Sequence, residues 1–378
     1  MHGTLYRIAF LFAIPLKLLA DIYSYLYNAN IPSAITIALP ISLMAAIFYP
    51  PQIYKKSRSL IKITCLFLLL LIVSIITQII FTKKSMGINS TTINSINTSL
   101  FLYIVYLVAG YGYACNENLS LAILKFSCLI GYTIIILTQI YIKDVWLTLN
   151  EYGAYLRIAD LMCIISLICI SKTKSVYIKI TFSILSAISL LYIGSRSSLL
   201  FFLFSLGIGF ILSIQRTNAM YIIFSIIGLI FIIFVSKNFL GNIENLFYET
   251  RIGQTMLTEG GGGVDERQRL LELGLERIEN NPLLGNWQNR LFNSNDGGDY
   301  IHNILFLWDD FGLTVFSLMA IIITLIYIHV KDNKNIFIST YLFITLSMLF
   351  ARAYTFPYIF FVAGILSNKN TFIEKYQK

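Results

Sequence analysis

The sequence predicts an all-α, polytopic membrane protein of about 12 transmembrane helices with one large polar loop. Three observations lead there. Only 12% of the 378 residues are charged and 57% are hydrophobic, with a mean hydropathy of +0.74, whereas soluble domains carry about a quarter charged residues. Apolar runs of the length needed to span a bilayer core, about 20 residues, recur along most of the chain. The Lys and Arg residues of the short loops fall mainly at alternate ends of those runs, as positive-inside topology requires. The balance excludes an ordinary soluble enzyme, and it excludes a disordered chain, which needs the reverse composition. In so apolar a chain the formal charge of +9 reads as cytoplasmic loops rather than a nucleic-acid surface.

In order, the expected spans are residues 8–27, 31–49, 60–81, 98–115, 119–142, 156–171, 177–194, 197–215, 219–236, 304–330, 336–352 and 356–367. The first contains Pro15, Lys17 and Asp21 but no small-residue cleavage site, so it is expected to be a retained helix rather than a signal peptide. Counting short-loop cations, fourteen fall on one side, among them Arg7, Lys55, Lys56, Arg58, Lys172 and Lys331. Six fall on the other: Lys83, Lys84, Lys143, Arg157, Arg196 and Arg352. The richer side is expected to be cytoplasmic, with both termini there. The five cysteines lie in or beside apolar runs without a CxxC pair, which points to packing rather than to disulfides or zinc.

One segment breaks the pattern. Residues 237–300 form a 64-residue polar insert that the alternation places outside, and it divides the chain into a bundle of about nine helices (1–236), the loop, and about three C-terminal helices (301–378). The insert holds ten of the nineteen acidic residues and six of the twenty-eight basic ones; its formal charge is −4, leaving +13 on the rest. Gly260 to Gly263 read as a flexible joint. Beyond them Leu270, Leu271, Gly274, Leu275 and Ile278 have the spacing of an amphipathic helix, ended by Pro282 and Gly285. Loops this long are commonly functional.

No Walker loop, HExxH, DxD or Gly-x-Ser-x-Gly occurs, and no metal or other cofactor is expected. Three polar patches sit instead where the outer leaflet should meet the helices. In Gly194-Ser195-Arg196-Ser197-Ser198, Arg196 has two readings. Its planar fork suits phosphate oxygens, or it snorkels to headgroups while the segment caps a tight turn. In the second patch Arg267, Arg269 and Arg277 cannot share one helical face, and Arg277 reads best as part of a solvated face of Glu–Arg pairs. In the third, Tyr300-Ile301-His302-Asn303 opens the run ILFLWDDFGL. A histidine at a membrane boundary can act as a general base near neutral pH or be structural, and Asp309 and Asp310 follow about two turns later.

Together these patches resemble the O-antigen polymerase and ligase superfamily of bacterial inner-membrane glycosyltransferases. The Gly-Ser-Arg-Ser-Ser turn resembles that family's Ser-Arg element. The stretch ERQRLLELGLERIENNPLLG resembles its Arg-x-x-x-Trp…Asn-Pro-Leu-Leu-Gly element, which puts the family arginine on Arg267 and Leu271 at its tryptophan position. The stretch YIHNILFLWDDFGL resembles its His-Asn-x-x-Leu…Gly element, with the histidine at His302 and the glycine at Gly312. The patches cover about one-tenth of the chain, and the first 150 residues carry no matching motif.

The resemblance implies a glycosyltransferase acting on oligosaccharides carried by undecaprenyl diphosphate, with the bilayer and a chain-length regulator as further partners. Arg196, Arg267 and His302 are the implied catalytic residues. Arg269, Asn303, Ser195, Tyr300 and Asp310 are the implied substrate contacts, and Trp287 joins Tyr300 as a candidate sugar-stacking residue. Without a metal, cationic side chains would absorb the charge developing on the departing diphosphate. His302 would deprotonate the incoming hydroxyl or hold the diphosphate. The short linker from Pro282 to His302 favours a polymerase over a ligase that transfers glycan to lipid A-core; a flippase for the same lipid-linked sugar is the alternative from another class.

Overall fold

A computed structural model describes residues 2–27, 34–49, 51, 53, 57–82, 90–141, 154–213, 264–286, 301, 303–332, 337–352 and 356–368. Among them are thirteen helices and no strand, only an isolated bridge between Ile53 and Asn368. The helices are α1 (His2–Ala13), α2 (Pro15–Tyr27), α3 (Ala34–Phe48), α4 (Arg58–Thr82), α5 (Ser90–Cys115), α6 (Glu117–Tyr141) and α7 (Ala154–Lys172). There follow α8 (Val176–Ile193), α9 (Arg196–Ser213), α10 (Val264–Asn280), α11 (Leu305–Asp332), α12 (Ile338–Phe350) and α13 (Tyr358–Ser367).

Among the described residues four stretches are long and apolar enough to cross a membrane: Arg58–Thr77, Glu117–Tyr141, Val176–Ile193 and Leu305–Lys331. Only 28–33% of each apolar window is buried inside the protein, so most of its residues keep part of their surface outside. Water would penalise that arrangement and lipid would not. Helices occupy eleven of the twelve expected runs, and the run 219–236 lies outside the described residues.

The first run differs from expectation, because two helices occupy it. Pro15 has no N–H to give to Leu11 and breaks the ladder there, while the flanking bonds Ile14 N–H to Phe10 O and Leu18 N–H to Ile14 O are kept at 3.1 Å each. Lys17, buried among apolar neighbours, is paired with Asp21 one turn on.

The middle of the bundle is made by α7 and α13. Every residue of α7 from Ile158 to Ile170 is buried, and so are all ten residues of α13. Such close packing needs small residues at the crossings. A Cβ on Gly110 of α5 would lie 2.0 Å from Phe361 O, and one on Gly364 would lie 2.0 Å from Leu107 O. Beside this contact the rings of Tyr103 and Phe360 stack with centroids 4.5 Å apart. Hydroxyls join other helices: Tyr132 of α6 meets Ser166 of α7 at 2.5 Å and Ser186 of α8 at 2.7 Å.

Polar contacts also fix which helix ends lie together. Ser57 donates to Leu366 O at 2.6 Å, the Asn368 amide reaches Tyr111 O and Cys115, and Lys172 pairs with Glu117. The start of α4, the ends of α5, α7 and α13 and the start of α6 therefore share one end of the bundle. The start of α7, the α8–α9 connection and the end of α12 meet at the other.

Candidate functional site

At that second end, α8 and α9 form a tight helical hairpin. Gly194 terminates α8 in the left-handed conformation (φ 78°, ψ 18°), its N–H shared between the Leu190 and Leu191 carbonyls, and α9 begins two residues later. Ser195 and Ser198 point inward and are fully buried, whereas Arg196 is exposed. The two serine hydroxyls are 2.6 Å apart, and Ser198 donates to Asp160 Oδ1 at 2.7 Å.

Asp160 in turn holds Arg352, which follows α12. Nε donates to Asp160 Oδ2 at 2.6 Å and Nη2 to Oδ1 at 2.9 Å, a bidentate pair. Nη2 also donates to Ser198 Oγ at 2.9 Å, while Nη1 donates to Ser197 Oγ at 3.2 Å and to Ala351 O at 3.0 Å. All five guanidinium N–H groups are thus engaged. The Asp160 side chain is 3% exposed and that of Arg352 is 11% exposed. Residue patterning alone assigns neither a role. The available signal was Asp160 itself, the only acid in the apolar run 156–171, because a buried carboxylate needs a partner.

The second cluster joins α10 to α11. The inward face of α10 is Leu270, Gly274 and Ile278, one residue per turn; Leu271 is half-buried, and Leu275, expected on the same stripe, is exposed. Gly274 lets α10 lie close against Ile301: a Cβ there would fall 2.2 Å from Cδ1 of Ile301, whose side chain would have to move. Arg277, expected on a solvated face, instead forks onto Asp309: Nε lies 3.1 and 3.0 Å from the two carboxylate oxygens and Nη2 lies 2.7 Å from Oδ2. Its partner is 32 residues away, so only the packing of α10 on α11 brings the pair together.

After Asn280 the Asn281–Gly285 turn seats itself in a break in α11. Gly312 (φ 80°, ψ 175°) interrupts that helix, so Leu313 N–H no longer reaches Asp309 O. Leu313 N–H donates instead to Pro282 O at 3.0 Å, and Asp309 O accepts from Asn286 N–H at 2.8 Å. These two backbone groups released by the break are thus taken up by the turn, as buried backbone demands. The Trp308 indole also donates to Pro282 O, at 2.8 Å. The contact is backbone on backbone: a Cβ on Gly285 would lie 2.5 Å from Gly312 N, and one on Gly312 would lie 2.1 Å from Leu283 O.

Of the residues singled out in sequence, Ser195 and Arg196 belong to the first cluster. Arg267 and Arg269 lie on α10; Arg269 is exposed, and the Arg267 side chain lies outside the described residues. Asp310 is fully buried beside Asp309. Asn303 is half-buried, and its Oδ1 accepts the Leu305 N–H at 2.9 Å, capping α11. Tyr300, His302 and Trp287 lie outside the described residues. Among the described residues no three His, Cys, Asp or Glu side chains gather as a metal site would need.

No protein-family model matches the chain, and no curated protein matches it in sequence. Fold and site define a class: an all-α membrane protein with a buried Asp–Arg cluster at one end of its bundle and a polar helix locked into the break of an apolar one.

Proposed function

We propose that this protein is an O-antigen polymerase, an enzyme that joins oligosaccharide repeats carried on undecaprenyl diphosphate. In this reading twelve spans cross the bacterial inner membrane, both termini are cytoplasmic and residues 237–300 lie in the periplasm. The observation that supports it best is the seating of the Asn281–Gly285 turn at Gly312. It makes one unit of two patches that resemble the family's second and third elements, the third of which contains His302 in the chain.

An acceptor sugar hydroxyl attacks the anomeric carbon of the growing chain, its proton passes to His302, and the lipid diphosphate departs with the bonding electron pair. The cationic forks of Arg196 and Arg267 suit phosphate oxygens and balance the charge that develops on the leaving group. Direct displacement inverts the anomeric configuration.

The test is deletion followed by gel analysis of surface lipopolysaccharide, with complementation by wild type and by His302→Ala. Core carrying a single repeat, restored to a ladder by wild type but not by the variant, is the expected result. Bare core would indicate a ligase. An unchanged ladder rejects both, and a ladder sustained by His302→Ala revives the transport reading.

A further inference from the structure

We propose that Asp160 and Arg352 are positioning residues that fix the backbone carrying Arg196, so that its guanidinium meets the leaving diphosphate in a set orientation. The inference rests on the polymerase reading and extends it to two helices that bear none of the family-like patches.

The argument starts from what Arg352 has left to offer. Its five N–H groups go to Asp160, Ser197, Ser198 and Ala351 O, so none remains for a ligand. It is not itself a phosphate contact. What it holds is the first turn of α9. Ser195 precedes Arg196 and is tied to Ser198; Ser197 follows and is tied to Arg352; Ser198 is tied to both members of the ion pair. Arg196 is the one residue of the four that turns outward. Ser197 on one side accepts a charge-assisted bond from Arg352, and Ser195 on the other is bonded to Ser198, which contacts both members of the ion pair.

A long side chain on a freely hinged turn would lose orientation to rotamer and backbone freedom, and binding would have to restore it. Here α7 supplies the carboxylate, the end of α12 supplies the guanidinium, and the Gly194 turn brings the serines to them. The burial of the pair follows from the same geometry: water admitted there would compete for the serine hydroxyls. The leaving group gains negative charge between the ground state and the transition state, so loosening the clamp should act on turnover more than on substrate binding.

The experiment uses the full chain in lipid nanodiscs with a lipid-linked repeat unit as substrate, comparing wild type, Asp160→Asn, Arg352→Lys, Ser198→Ala, Arg196→Ala and the double variant Arg196→Ala/Asp160→Asn. Asp160→Asn and Arg352→Lys should lower kcat about ten- to a hundredfold, the effect expected of a misplaced catalytic group, with KM changed less than about threefold. The double variant should be no slower than Arg196→Ala alone, because the clamp acts only through that residue. Ser198→Ala, which keeps the ion pair, tests the same link if the charge variants fail to fold, and should lower kcat in the same direction. Multiplying losses in the double variant, a rise in KM alone, or full activity in a folded Asp160→Asn protein would overturn the positioning role. A wild-type protein that elongates no repeat would overturn the polymerase reading itself, a different and separately visible result.

Discussion

Replacing Gly312 by alanine should release the Asn281–Gly285 turn from α11, and the release should be visible at single amides. At φ 80° and ψ 175° a side chain strains the backbone by about 2 kcal/mol. The added Cβ would also lie 2.1 Å from Leu283 O, an overlap with backbone that no rotamer relieves. The alternative open to the variant is to straighten α11, and alanine favours the straight helix over glycine by about 1 kcal/mol. The docked arrangement is then disfavoured by about 3 kcal/mol, more than a hundredfold in the docking equilibrium at about 1.4 kcal/mol per decade.

The two amides at the junction should respond in opposite ways. Asn286 N–H, which is held by Asp309 O, loses its acceptor and should exchange with solvent faster. Leu313 N–H leaves Pro282 O but regains Asp309 O within the healed helix, and should stay protected. Hydrogen exchange read by mass spectrometry on the protein in nanodiscs measures both. Gly207→Ala is the control, since a Cβ there meets nothing within 4 Å. Unchanged protection at Asn286 in a folded Gly312→Ala protein would refute the reasoning, and so would equal loss at both amides.

Arg277→Ala removes the forked guanidinium from the Asp309 carboxylate, 2% exposed, and should cost about 1.5–3 kcal/mol, seen as faster thermal inactivation in detergent. Arg277→Lys should recover less than half of that, because an ammonium cannot fork onto both oxygens. Gly110→Leu should yield no monodisperse protein on extraction, since its Cβ alone would lie 2.0 Å from a backbone oxygen of α13; a sharp size-exclusion peak from that variant would contradict the packing described.

Much of the helical layout is legible in the sequence because apolar runs and helices obey the same length rule. The departures have local or distant causes. Pro15 was visible, but its consequence, a break between α1 and α2, depends on its lying far enough inside the run to interrupt an established ladder. The periodicity of α10 puts Arg277 on a solvated face because it carries no information about Asp309 across the α10–α11 contact. The Asp160–Arg352 pair joins residues 192 apart in sequence, and the lone acid of α7 advertised a need for a partner without saying which. Conversely, the glycines at 285 and 312 look like ordinary turn and helix residues until the two backbones are seen to touch.

The lengths of the central and peripheral helices set an electrical consequence. From the level shared at Ser57 and Leu366, the 25 residues of α4 climb about 37 Å while the ten residues of α13 climb about 15 Å, against a hydrocarbon thickness of about 30 Å. The N-terminal, positive end of the α13 dipole therefore lies near mid-depth of the bundle rather than at its edge, with Tyr358 there packed ring-on-ring against Tyr106.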